Sequence, residues 1–256
     1  PFREIARTAV TKYPRRTVLG LALFVGQAFI YNAITFDLGT LFNKFFGVSS
    51  SAVPYLFAIF AIGNLLGPLT LGRLFDTVGR KPMITATYLI SAAAAAVLGF
   101  LMIGNSLGEW GFLIFITATF FVASAGASAA YLTVSEIFPM ETRAMAIAFF
   151  YATGTIVGGF GGPLLFGALI QSGKPSQIFI GYLVGAVVMI IGGVVQATMG
   201  VEAAQRDLED IAPPLSASGE ELDEPGEQQD PYTVDESTGV PFQSGGGDVT
   251  ERGGVR

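Results

Sequence analysis

Six stretches of the chain run for about 20 residues or more without Asp, Glu, Lys or Arg, at 17–36, 51–71, 83–103, 110–132, 144–171 and 177–200. A helix of that length crosses the roughly 30 Å hydrocarbon core of a bilayer. Membrane strands of similar greasiness are shorter and alternate apolar with polar positions, and these runs do not alternate, which argues against a barrel. The pattern predicts an all-α fold: a polytopic membrane helical bundle with six transmembrane helices.

The connections between the runs give an orientation. Arg3, Arg7, Lys12, Arg15 and Arg16 precede the first run, Arg73, Arg80 and Lys81 lie in the second connection, and Arg143 lies in the fourth. The first, third and fifth connections hold only Lys44 and Lys174. Cytoplasmic loops keep the excess of Lys and Arg, so both ends of the chain are expected in the cytoplasm, with the protein multi-pass in the plasma (inner) membrane. The expected organisation is a basic cytoplasmic linker at 1–16, a six-helix domain at 17–200 and an acidic cytoplasmic tail at 201–256. The tail is rich in Glu, Asp, Pro, Gly and Ser, too polar to offset the entropy of ordering, and disorder is expected there. The chain opens on Pro1 with no signal-peptide pattern, and a truncated start is expected.

Composition sharpens this only in part. At 51% apolar and 13% charged residues the chain is too greasy for a water-soluble domain. Its net charge of −6 misleads, because residues up to Gly200 hold 11 basic and 6 acidic side chains and the rest hold 3 and 14. A basic body and an acidic tail leave nucleic-acid binding without support. With no cysteine and no histidine there is no disulfide framework, thiolate metal site or imidazole shuttle. Neither a buried acid/base pair nor a nucleophile with its base is evident, so no enzyme activity and no cofactor are expected.

The second connection reads Gly72-Arg73-Leu74-Phe75-Asp76-Thr77-Val78-Gly79-Arg80-Lys81-Pro82. Glycine relieves backbone strain in a tight turn, and proline suits the first turn of the next helix. Beyond that local logic, Gly-x-Leu-x-Asp-x-x-Gly-Arg-Lys resembles the signature loop of the major facilitator superfamily, with Thr77 where that family usually has Arg. Glu136-Ile137-Phe138-Pro139 followed by Arg143 resembles the Glu-x-x-Pro-x-x-x-Arg segment that sugar porters carry after their tenth helix. Counting back, the first span is similar to the seventh helix, whose Gln-Gln-x-x-x-x-Asn-Ala segment is matched by Gln27, Asn32 and Ala33, with Gly26 in place of one glutamine. Asn64 stands where that family has an eighth-helix Asn, and Tyr131 where it has a tenth-helix Trp; Ala127-Ser128 replaces its Gly-Pro pair.

The resemblance implies the C-terminal half of a twelve-helix fold whose substrate site lies between the halves near mid-membrane. The absent N-terminal six-helix half and the lipid bilayer are then partners, together with a small-molecule substrate, a sugar or related metabolite. Amides are costly in lipid unless they face a cavity or a partner. Gln27, Tyr31, Asn32, Asn64, Ser124, Ser128 and Tyr131 are the expected substrate-binding residues; packing glue is the competing role, and the one preferred for Gln196. Gly72, Asp76, Gly79, Arg80, Lys81, Glu136 and Arg143 form the expected signature loop and cytoplasmic gate, against ordinary exposed loop charges. Alternating access driven by a proton gradient is the expected mechanism, with the proton-binding carboxylate in the absent half, since Asp37 falls just past the end of the first run. A facilitator or exporter of the same superfamily, or a membrane sensor signalling through the tail, are the alternatives. Gly154 to Pro163 is read as a kink or a close helix crossing rather than a hinge.

Overall fold

The computed structural model describes Thr11, residues 13–202 and Ile211. Apart from those last few positions, the tail expected at 201–256 and the linker expected at 1–16 lie largely outside the described residues. The described elements are α1 (Pro14–Phe46), α2 (Val53–Thr77), α3 (Arg80–Ile103), α4 (Glu109–Ile137), α5 (Met140–Gly154), a π-helical turn (Thr155–Phe160), α6 (Gly161–Gln171) and α7 (Pro175–Met199). There is no strand among them. With α5, the π-turn and α6 forming one continuous span, six helices are long and apolar enough to cross a membrane.

Helix ends follow local chemistry. Pro14, Pro54 and Pro175 occupy first turns, where a missing N–H costs nothing. Gly47 closes α1 in the left-handed region at φ 66°, its N–H donating to the Phe42 carbonyl. The connection from α2 to α3 is a tight turn at the end of the motif. α2 continues through Gly72, Arg73 and Asp76, and the chain reverses at Val78 and Gly79, the latter at φ 114°. Gly79 is therefore the glycine the turn requires, whereas Gly72 sits in the helix with open space beside it.

α1 also corrects the boundary expected at Phe36. It runs ten residues further, and its 33 residues span about 50 Å at ~1.5 Å per residue. A single charge does not break the backbone ladder, so Asp37 and Lys44 are carried inside the helix. At the other end the helix begins at Pro14, within the stretch assigned to the linker.

Burial shows how the bundle is layered. The apolar window of α1 is 61% buried and that of α2 only 22%, which puts α1 at the centre and α2 at the edge. α3 packs along α7, α2 along α4, and α1 against α2 and α4 through α7. Leu19, Leu23, Ile30, Leu38 and Phe42 of α1 meet Tyr88, Phe112, Phe120, Phe150, Phe166 and Tyr182 in one core. Ile59, Ile62, Leu65, Leu66 and Leu69 of α2 are exposed, as lipid-facing side chains are and as a water-soluble surface is not.

Without a hydrophobic drive between helices in lipid, close backbone approach does the packing, and it needs small residues. Gly154, Gly158 and Gly162 stack on α1 at Phe24, at Ala28 and Phe29, and at Ala33. A Cβ on Gly158 would run into the backbone between Ala28 and Phe29. The expected close crossing is present, and the π-turn is the local distortion the glycine-rich run permits.

Candidate functional site

α1, α2, α4 and the π-turn enclose a cavity of about 430 Å³. It takes Phe24, Gln27, Tyr31 and Asn32 from α1, Asn64 and Pro68 from α2, Ser124, Ser128 and Tyr131 from α4, Tyr151 from α5, and Thr155 from the π-turn. All seven residues expected at a substrate site lie on this one wall. Phe24, Pro68, Tyr151 and Thr155 were not expected. Helical spacing was the available signal for two of them, since Phe24 precedes Gln27 by three residues and Pro68 follows Asn64 by four, whereas Tyr151 and Thr155 had no expected residue on their own helix.

The cavity's polar groups differ in how much bonding capacity they have already spent. Tyr31 donates its hydroxyl to Asn64 Oδ1 at 2.6 Å, joining α1 to α2. Asn32 donates Nδ2 to the Ala28 carbonyl at 2.6 Å on its own helix, and Ser124 donates to the Phe121 carbonyl at 3.1 Å. Gln27 is buried beside the Tyr88 hydroxyl, and its Nε2 and Oε1 make no hydrogen bond of good geometry among the described residues. Pro68 has no N–H to give the Asn64 carbonyl, so a backbone acceptor on this wall lacks its helical donor. On the aromatic side, Tyr131 meets Phe24 edge-on with ring centroids 4.7 Å apart, and Tyr151 lies 6.4 Å from Tyr131. No carboxylate, Lys or Arg lines the cavity.

Tyr88 steadies this wall from behind. It is fully buried in α3 and donates to the Leu23 carbonyl at 2.8 Å, one turn before Gln27. Gln196 lies elsewhere, fully buried on α7, and its two amide atoms find no partner among the described residues. Nothing in the structure explains that amide.

A second hollow of about 420 Å³ shares Pro68 and Ser128 with the first and extends to Asp76 and Arg80 at the basic end of the bundle. There the charges are paired. Arg80 puts Nε 3.0 and 2.9 Å from the two Glu136 carboxylate oxygens and Nη2 2.7 Å from Oε1, and its Nη1 reaches Asp76 Oδ1 at 3.0 Å. The cluster ties α2, α3 and α4 together. Glu202, just past α7, accepts the N–H groups of Arg80 at 2.8 Å and Lys81 at 3.2 Å, at the positive end of α3. A Cβ on Gly79 would stand 2.8 Å from that carboxylate, a second reason for glycine there. Arg16 donates to the Ile137 carbonyl at 2.5 Å, at the negative end of α4, and to the Ile211 carbonyl at 2.8 Å.

Arg143 does not join this cluster. Among the described residues it makes no ion pair, and its Nε is buried without a hydrogen bond. Spacing brings Arg143 to the same end of the bundle, but Arg80 already spends its donors on Glu136 and Asp76. The sequence reading missed Glu202 and Arg16, which act through backbone groups that no side-chain motif records.

A search of curated proteins finds no match to the chain. A sequence profile described as Major Facilitator Superfamily matches residues 15–221, which takes in every transmembrane helix, the cavity and the charge cluster. The chain belongs to the Major Facilitator Superfamily and is a membrane transporter of that kind.

Proposed function

We propose that this chain is the C-terminal half of a secondary transporter that moves a small, neutral, hydroxylated solute, a sugar or a related metabolite, by alternating access with proton coupling. One observation carries the reading: the cavity is built from amides, hydroxyls and aromatic rings with no formal charge, and the Gln27 amide, with only the Tyr88 hydroxyl beside it, has most of its bonding capacity unspent. An amide both donates and accepts, which matches a hydroxyl, and an aromatic face suits the apolar side of a ring. An anionic or cationic substrate would need a counter-charge, and none lines this cavity.

The excess of Lys and Arg at one end supports placing the Arg80 cluster in the cytoplasm of a plasma-membrane protein, with the Lys44 and Lys174 loops outside. In this reading the Arg80, Glu136 and Asp76 network braces the inner side, and an N-terminal six-helix half closes the open wall of the cavity. Proton coupling then needs a carboxylate outside the cavity lining.

The test is uptake by the intact transporter in proteoliposomes, using a panel of radiolabelled hexoses, pentoses and polyols with and without a pH gradient. At least one solute accumulates, and Gln27→Ala raises its KM about tenfold or more, the cost of ~1.5–3 kcal/mol in lost polar contacts. A Gln27→Ala protein with unchanged kinetics refutes the site, and no uptake of any solute in the panel refutes the substrate class.

A further inference from the structure

Asp37 has no role in the cavity or the charge cluster, yet it lies inside a membrane helix. It sits on α1 seven residues before Lys44, whose Nζ donates to the Gln171 carbonyl at the end of α6 at 2.8 Å. That contact marks the surface of the bundle, and Asp37 lies about 10 Å deeper along the helix at ~1.5 Å per residue. Its carboxylate faces Gly167 of α6, where a Cβ would stand 3.6 Å from Oδ1 and 3.9 Å from Oδ2. Oδ2 is sealed from solvent and has no hydrogen-bond partner among the described residues.

The surroundings offer no cation. α6 carries no ionisable side chain, and neither does α7 apart from the buried Tyr182. Lys174 lies before α7, Glu109 opens α4, and Lys44 is bound to a backbone carbonyl. α2 has Tyr55 at this end of the bundle, while α5 carries Glu141 and Arg143 in its first turn, at the opposite end, and Tyr151 in the cavity. None of the ion pairs among the described residues involves Asp37. A carboxylate with one oxygen enclosed, no donor and no counter-ion is costly at this depth, and an added proton removes the charge.

We propose that Asp37 is a proton-binding site at the outer α1–α6 contact. The inference rests on the alternating-access reading, in which these helices part and rejoin. With α6 seated on it, as here, the side chain is the neutral carboxyl. When the outer ends of α1 and α6 separate and water enters, the O–H bond breaks, the proton passes to that water and the carboxylate is hydrated. Rejoining takes one proton back. Gly167 keeps this face of α6 small, with the carboxyl at ordinary van der Waals distance from where a Cβ would stand.

Two solute-free measurements on the intact transporter in lipid test this. Infrared difference spectra at neutral pH show the carbonyl stretch of a protonated carboxyl, which Asp37→Asn removes and Asp37→Glu retains. The chain has no cysteine of its own, so spin labels on cysteines placed at Thr40 and Ser172, both exposed, report the α1–α6 spacing. That distance lengthens in the wild type as pH rises from about 7 to about 9 and stays short in Asp37→Asn, which mimics the neutral acid. A spectrum unchanged by the substitution, or an Asp37→Asn protein whose distance still follows pH as the wild type does, overturns the assignment. A band present with no uptake of any panel solute counts against the transport reading alone; normal uptake without the band counts against Asp37 alone.

Discussion

The charge cluster and the cavity share α2 and α4 at two different levels, and they treat hydrogen bonds in opposite ways. At the cluster Arg80 uses its Nε and both terminal nitrogens on two carboxylates, and even the first amides of α3 are taken up by Glu202. In the cavity Gln27 has only the Tyr88 hydroxyl beside its amide, Asn32 turns its amide back on its own helix, and Pro68 leaves the Asn64 carbonyl without its donor. A satisfied network fixes one arrangement of the helices, since breaking it exposes charges to a poor solvent. Unspent capacity has the reverse use: it is inexpensive to redirect toward a solute. On the proposed reading, one region holds and the other binds.

That contrast can be broken by substitution, and the largest effect belongs to the cluster. Arg80→Ala leaves Glu136 buried without its partner, a loss of roughly 3–5 kcal/mol if the pair behaves as an enclosed one. Thermal unfolding in detergent should show this as a marked fall in midpoint, whereas Gln27→Ala, which separates no ion pair, lowers the midpoint far less. An intermediate effect tests the scaffold between the two regions. Gly158→Val drives a side chain into the α1 backbone at Ala28 and Phe29 and costs on the order of 1–3 kcal/mol, because packed cores yield little. The same melting measurement reads it, and Gly161→Val, with open space beside it, serves as the control. The smallest effect is inside the cavity. Tyr31→Phe deletes the single bond to Asn64 and costs about 0.5–1.5 kcal/mol of stability, while solute affinity changes in the same samples because Asn64 Oδ1 is freed. If Tyr31→Phe destabilises as strongly as Arg80→Ala, the division between a holding and a binding region fails.

Much of the architecture was legible because lipid imposes a simple rule on sequence. Six uncharged runs of membrane length appear as six spans, since every backbone group in hydrocarbon must be bonded within its own helix. The boundaries were less legible. Asp37 and Lys44 stopped the reading at Phe36, but α1 continues past them, with Lys44 finding a carbonyl on α6 and Asp37 a glycine opposite. The tight turn read into the signature loop is present, but the helix runs through most of the motif and the reversal falls at Val78 and Gly79, the latter with positive φ.

What the sequence determined by itself is the helical class, the number of spans, the asymmetry of charge between the two ends, and the polar side chains that lipid would reject unless they were given a use. Each follows from a local cost that one residue meets wherever its helix ends up. Tertiary structure alone decided which of those side chains share a wall, that Arg80 rather than Arg143 holds Glu136, that Glu202 and Arg16 cap helices distant in sequence, and that Asp37 is closed over by Gly167. These are pairings between helices, and no spacing within one helix encodes them.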